Sequence, residues 1–186
     1  DSGTAAEIVL IPAIKQNSAI PATGNWMSLV VVGINHHPAP VTITVPRETH
    51  VYSVRDGKDL GETNSIETGI EPAVAKVYAL LPAKVESVVL TGIKDAYEKG
   101  SAVAYAVESK TLPQIVIPQV FHVEVKKPGG DLCRLYARNL HAPKGKAQGA
   151  FTLALNDVAG DWTITVTDVA SGKTTQKSFS VKQKDR

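Results

Sequence analysis

Three segments alternate between apolar and polar residues, and this period of two constrains the fold more than any other feature. They are residues 41–45 (VTITV), 121–126 (FHVEVK) and 162–167 (WTITVT). Every second residue is apolar, as in a strand with one buried face and one wet face. No stretch shows a convincing helical stripe. The sequence therefore predicts an all-β fold made of sandwich-type strands.

The segment EPAVAKVYALL, residues 71–81, fits a helix or a strand by periodicity alone. We favour a strand over 73–80, because the dipeptide Leu81-Pro82 follows directly and because two sets of residues alternate: Ala73, Ala75, Val77 and Ala79 with Val74, Lys76, Tyr78 and Leu80.

Glycine-containing turn signals separate the apolar segments, because glycine tolerates positive φ. They are Asp56-Gly57, Pro128-Gly129-Gly130, Ala159-Gly160-Asp161 and Ser171-Gly172-Lys173. Two of them predict hairpins, which join 51–54 to the segment after Lys58 and 163–169 to 174–181.

The best candidate for a domain boundary is residues 81–86, LPAKVE, where Pro82 interrupts an apolar run. We therefore predict two tandem β-sandwich domains, 1–82 and 83–186, both of ordinary domain size. Strands are expected near 7–11, 28–34, 41–45, 50–54 and 73–80 in the first. The second has segments near 85–90, 101–107, 115–125, 132–138, 149–155, 161–168 and 174–181, which suit an immunoglobulin-like or fibronectin-like sandwich. Residues 12–25 form a long polar loop, a place where function is common.

Composition narrows the possible partners. Twenty Lys and Arg against eighteen Asp and Glu leave a net charge of +2, too small for a phosphate-binding face, so nucleic acid is not expected. No apolar run approaches the roughly 20 residues of a membrane span. A single cysteine, Cys133, excludes an internal disulfide. Because the sequence begins with Asp1, we expect a processed or truncated chain.

Residues 50–82 carry a family resemblance. They follow a pattern close to VYDVRxGKYLGxTD and then an ALLP run, with matches at Val51, Tyr52, Val54, Arg55, Gly57, Lys58, Leu60, Gly61, Ala79, Leu80, Leu81 and Pro82. Ser53 and Asp59 stand where the pattern has Asp and Tyr. The stretch resembles the all-β region after the catalytic and trimerisation regions of large bacterial β-galactosidase-like glycoside hydrolases. Residues 156–174 are similar to the closing hairpin of bacterial immunoglobulin-like modules.

This resemblance implies an accessory position in a secreted, periplasmic or cell-surface hydrolase, with that enzyme's catalytic domain as a partner. It does not imply catalysis, because the acid and nucleophile of such enzymes belong to a barrel domain outside the matching residues. We therefore expect no enzymatic activity.

Side chains that could support catalysis are explained more simply as structural. Carboxylates for sugar cleavage are available at Asp56, Asp59, Glu62, Asp157, Asp161 and Asp168, but most lie in turn segments. Cys133 alternates with Leu135 and Ala137 in LCRLYA, which predicts a small buried apolar residue.

A metal site is the less favoured interpretation of the histidines at 36, 37, 50, 122 and 141. Adjacent residues of a regular strand point to opposite faces, so His36 and His37 cannot share one ion there, although a turn before Pro38 would relax this restriction. The 156–161 loop, NDVAGD, has oxygen ligands, but its spacing fits no standard calcium loop. We expect no metal or other cofactor.

Carbohydrate-binding sites commonly combine exposed aromatic rings, on which sugar C–H faces stack, with Asn, Asp, Arg or Lys side chains that hydrogen-bond the sugar hydroxyls. Trp162 alternates with Ile164 and Val166 and is expected in the core. Trp26 follows the loop and opens a strand, so we predict a polysaccharide or oligosaccharide site at Trp26, Asn25, His36 and His37. Tyr52, Tyr78, Tyr97, Tyr105 and Tyr136 are expected in the core or at sheet edges.

Three functions remain open. The first is a carbohydrate-binding accessory module, which an exposed coplanar pair of aromatic rings would select. The second is a structural or adhesive spacer, which an apolar interface patch would select. The third is a small enzyme, which a converging histidine or carboxylate cluster would select.

Overall fold

The computed structural model describes residues 27–32, 39–71 and 74–183. Within them lie twelve β-strands and no helix, so the predicted all-β, β-sandwich fold class is confirmed. The strands are β1 (Met27–Val32), β2 (Ala39–Ser53), β3 (Lys58–Ile70), β4 (Ala75–Leu81), β5 (Lys84–Thr91), β6 (Ala96–Glu98), β7 (Ala102–Leu112), β8 (Gln119–Lys126), β9 (Arg138–Ala142), β10 (Lys146–Thr152), β11 (Gly160–Asp168) and β12 (Thr174–Lys182). The chain divides into two compact units, Asp1–Lys84 and Val85–Arg186.

The first unit contains a four-stranded antiparallel sheet in the order β1-β4-β2-β3. The predicted hairpin at Asp56-Gly57 joins β2 to β3, and Gly57 has a φ of 62°. The separate strands predicted at 41–45 and 50–54 are one strand of 15 residues, with register shifts between Thr44 and Thr49 and between Val51 and Tyr52. A bulge therefore bends β2 instead of a loop dividing it.

The strand predicted at 73–80 is present as β4, but its side chains do not alternate in burial. All four residues from Tyr78 to Leu81 are buried. A strand end covered on both faces needs no polar alternate, so its sequence carries no period of two.

The second unit is a two-sheet sandwich. One sheet has the order β10-β7-β5 and the other β6-β12-β11-β8-β9. Their inner faces share one core that contains Tyr105, Phe121, Phe151, Trp162 and Phe179. Trp162 is fully buried, as predicted, and its indole Nε1 donates to the carbonyl of Val158 at 3.0 Å.

The strand predicted at 132–138 is wrong. Cys133 is buried, as expected, but Leu135 is 76% exposed, so the two do not share a face. The amide of Cys133 donates to Val125 O and the amide of Tyr136 donates to Cys133 O, which makes a turn after a single bridge at Leu132. Strands β6 and β9 are only three and five residues long and were not predicted from the sequence.

Candidate functional site

The predicted carbohydrate site lies outside the described residues. This holds for Asn25, Trp26, His36 and His37 and for the 12–25 loop. Binding at these positions stays a prediction.

The aromatic rings of the described residues are all buried. The sequence has two Trp, five Tyr and three Phe, and all of these except Trp26 fall in the described part. The nine are Tyr52, Tyr78, Tyr97, Tyr105, Phe121, Tyr136, Phe151, Trp162 and Phe179, and each is at most 7% exposed. A ring that stacks on sugar must therefore be that of Trp26.

His50 on β2 and Asp59 on β3 form a hydrogen bond across the β2–β3 hairpin. His50 Nε2 lies 2.6 Å from Asp59 Oδ1, which also accepts from the Gly61 amide at 2.9 Å. Burial raises the pKa of Asp59, but these hydrogen bonds outweigh it and the net pKa is lowered. The His50 ring packs on Tyr52 with centroids 4.9 Å apart. The pair fastens the two arms of the hairpin.

Asp168, another carboxylate considered from the sequence, is fully buried. Its Oδ1 accepts from the Ser171 amide at 2.8 Å and from the Ser171 hydroxyl at 2.7 Å, which holds the β11–β12 turn closed. Burial raises its pKa. Within the described part of the chain, no three His, Cys, Asp or Glu side chains come together as metal ligands.

Tyr136 connects two loops at one end of the second unit. Its hydroxyl donates to Asp157 Oδ2 at 2.5 Å and accepts from the Ala154 amide at 2.9 Å. Burial and the Asp157 carboxylate raise the pKa of Tyr136 to about 12. The bond ties the loop before β9 to the loop before β11.

Four aliphatic side chains project from these two loops: Leu132, Leu135, Leu155 and Val158, which are 40%, 76%, 72% and 50% exposed. We call them the apolar tip. The apolar tip was not predicted from the sequence, because the apparent alternation in LCRLYA assigns Leu135 to a buried strand face. Exposed apolar side chains that form a contiguous patch often mark a contact surface.

The outer face of the five-stranded sheet forms a second surface, the polar face. Cross-strand partners place Thr167 beside His122 and Thr174, Thr165 beside Glu124 and Gln176, and Thr163 beside Ser178, with Asn139 beyond His122. The alternation of the sequence already predicts that His122 and Glu124 share one face. That Asn139 lies on the same face follows only from the pairing of β9 with β8.

The outer face of the other sheet has a shallow groove of about 450 Å³. Small side chains such as Ala106 and Ala147 line it, beside Glu108. The carboxylate of Glu108 pairs with Lys110 at 2.8 Å and with Lys146 at 3.0 Å. Because these charged groups pair with one another, the groove offers a ligand few unpaired charged groups.

No helix within the described residues has both the length and the apolar character of a membrane-crossing segment. No family model matches the chain, and no curated protein matches it.

Solved structures with local likeness include a CARDB domain from Pyrococcus furiosus, in complex with di-metal ions, at 19% identity and a TM-score of 0.38. That match covers 54% of this chain and 89% of the domain. A β-glucosidase from Listeria innocua matches at 13% identity and a TM-score of 0.38, over 54% of this chain and 16% of the enzyme.

A β-glucuronidase from Parabacteroides merdae matches at 12% identity and a TM-score of 0.32, over 84% of this chain and 28% of the enzyme. The chain thus spans less than a third of either enzyme. At these TM-scores the fold assignment rests on the strand order and the core described above.

Proposed function

We propose that this chain is a non-catalytic accessory module of a larger protein, and that its second unit contacts a neighbouring protein domain through the apolar tip. The observation that carries the proposal is the exposure of four aliphatic side chains on two loops joined by Tyr136 and Asp157.

The fixed geometry of the tip supports a contact role. Fully burying one Leu or Val is worth about 1.5–3 kcal/mol, and each tip residue has roughly half of that still to gain. Loops already held by Tyr136 and by the Trp162 indole lose little conformational freedom on docking.

The tip is small for a free association. A stable interface uses about 20–30 residues on each side, many more than the tip offers. Tethering in one polypeptide replaces the missing affinity with effective concentration, so a domain of the same protein is the favoured neighbour. The resemblance at residues 50–82 supports a glycoside hydrolase as that protein, outside the cytoplasm.

Site-specific crosslinking in the full-length protein tests this contact. A photoreactive benzoyl-phenylalanine at position 135 is compared with one at position 165, which replaces Thr165 on the polar face. We expect crosslinked peptides from a neighbouring domain at position 135 and far fewer at position 165. Equal yields at the two positions would mean that the tip faces solvent, and the proposal would fail.

Carbohydrate binding is the second candidate, and the polar face favours it. Hydroxyl, amide and carboxylate groups lie there in rows that follow the strand spacing of about 4.8 Å. Such groups can hydrogen-bond sugar hydroxyls, and Trp26 is the ring that could add stacking.

Affinity electrophoresis against a panel of polysaccharides tests this candidate. The parent chain is compared with Trp26→Ala and with a polar-face variant, Thr165→Ala with Gln176→Ala. Retention lost in Trp26→Ala places the site at the predicted residues, and retention lost in the polar-face variant places it on the second unit. No retention of the parent chain on any glycan leaves the contact role alone.

A further inference from the structure

His122 and Glu124 form an arrangement on the polar face that neither function above uses. They are two residues apart on β8, so their side chains leave the same face of the sheet. Asn139 lies directly opposite His122 on β9. The His122 and Glu124 side chains are 44% and 37% exposed, which leaves them open to an ion from solvent.

The contact with Asn139 fixes the roles of the two imidazole nitrogens. His122 Nδ1 lies 2.7 Å from Asn139 Oδ1, and an amide oxygen only accepts hydrogen bonds. Nδ1 therefore carries the proton in the neutral ring, and Nε2 presents its lone pair. Outer-shell amides and carboxylates orient metal-binding histidines in this way.

The distance from Nε2 to the carboxylate suits two ligands of one ion. His122 Nε2 is 3.7 Å from Glu124 Oε1, too far for a hydrogen bond. A tetrahedral ion with bonds of about 2.1 Å to nitrogen and oxygen holds such ligands about 3.4 Å apart. A shift of a few tenths of an ångström would close the site.

We propose that His122 Nε2 and the Glu124 carboxylate bind a divalent transition-metal ion of the zinc class, with Asn139 as the positioning residue. Solvent completes the coordination, so positions remain open to an oxygen ligand. Thr165 and Thr167, the partners of Glu124 and His122 on β11, are neutral, and Lys126 is the cation that shares this face of β8, two residues after Glu124. The site goes beyond the proposed contact function and does not depend on it.

The competing explanation is that His122 and Glu124 interact only with each other and bind no metal. The two explanations differ in whether the His122 resonances respond to added metal. We would titrate the full chain with zinc chloride at pH 7.5 and follow the imidazole nitrogens by long-range 1H–15N NMR. Substituting Gln for His36 and His37 in the parent and in every variant removes an adjacent histidine pair from the measurement.

We expect the Nε2 resonance of His122 to shift with zinc while that of His50 stays in place. Glu124→Gln should weaken zinc binding at least tenfold, and Asn139→Ala should weaken it about 10–100-fold, the usual cost of losing an outer-shell partner. Glu98→Gln, which removes an exposed carboxylate from β6 in the same sheet, is the control and should leave binding unchanged.

Two results would overturn the proposal: an Nε2 resonance of His122 that does not move with zinc, or a Glu124→Gln variant that binds zinc as tightly as the parent. Amide spectra of each variant establish that it is folded, so loss of binding can be assigned to the site.

Discussion

Gly149 on β10 lies directly opposite Tyr105 on β7, and the tyrosine ring fills the space where a side chain at 149 would begin. A Cβ placed on Gly149 would be 2.5 Å from both Cζ and Oη of Tyr105 and 2.8 Å from Cε2. These distances are far below van der Waals contact. The substitution Gly149→Ala therefore requires the ring to move.

The cost can be worked from the surroundings of the ring. Tyr105 is 3% exposed and sits in the core beside Phe151, with ring centroids 6.4 Å apart, so it cannot swing away freely. Overpacking a core in this way costs about 1–3 kcal/mol. Alanine recovers about 0.5–1 kcal/mol by restricting the unfolded chain. We expect Gly149→Ala to lower the free energy of unfolding by about 1–2 kcal/mol.

Urea unfolding followed by Trp162 fluorescence measures this change, in a Trp26→Phe background where Trp162 is the only reporter. Tyr105→Leu removes the obstructing ring, so the double variant should lose less than the sum of the two single changes. Ala150→Val, at an exposed position of the same strand, is the control and should stay within about 0.5 kcal/mol of the parent. A Gly149→Ala variant as stable as the parent would refute the close contact.

Three further predictions concern titratable groups. Burial raises the pKa of Asp168 above its ordinary value of 3.8, so the stability that this carboxyl contributes is fully present below pH 3.8 and is lost as the pH rises through the folded pKa. In urea unfolding, Asp168→Asn should therefore gain stability relative to the parent as the pH rises above 3.8, and a difference that does not change with pH would contradict this. The pKa of Tyr136 is raised to about 12, so the stability it adds below pH 10 should be lost between pH 10 and pH 12, and the 295 nm titration of the parent minus Tyr136→Phe should show one phenol ionising near pH 12 and not near pH 10. His50→Ala removes one of the two hydrogen bonds to Asp59 Oδ1, so the pKa of Asp59 should rise toward its ordinary value in a carboxyl NMR titration, and an unmoved pKa would leave the Gly61 amide and the charge of Lys84 as the causes.

The alternation of apolar and polar residues correctly predicted strands that have one buried face and one face exposed to solvent. Strands β8 and β11 satisfy that condition along their length, and Trp162 was placed in the core for that reason. The pattern gave a wrong prediction at Leu135. The apolar residues continue to alternate in the sequence there, but the backbone forms a turn after Cys133. This turn is held by a backbone hydrogen bond, and the pattern of side chains in the sequence does not reveal such a bond.

The candidate sites were harder to predict than the strands, because they depend on pairing between strands. His122 and Glu124 share a face by spacing alone, but Asn139 reaches His122 only through a register across 17 residues. The apolar tip depends in the same way on Tyr136 meeting Asp157, 21 residues later. Such long-range contacts leave no periodic trace in the sequence.

Because the aromatic rings are buried, the surfaces described above cannot use them to bind a partner, which limits the affinity of each surface. With all nine described rings in the interior, recognition by these residues depends on aliphatic loops and on hydrogen bonds, and a hydrogen bond exposed to water adds only about 0.5–1.5 kcal/mol. Neither the apolar tip nor the polar face supplies the aromatic anchors that dominate tight interfaces. Either surface gains most when its partner is held nearby, as it is within one polypeptide or along a repeating polymer. The weakness of each surface is therefore an argument for an accessory module in a larger protein.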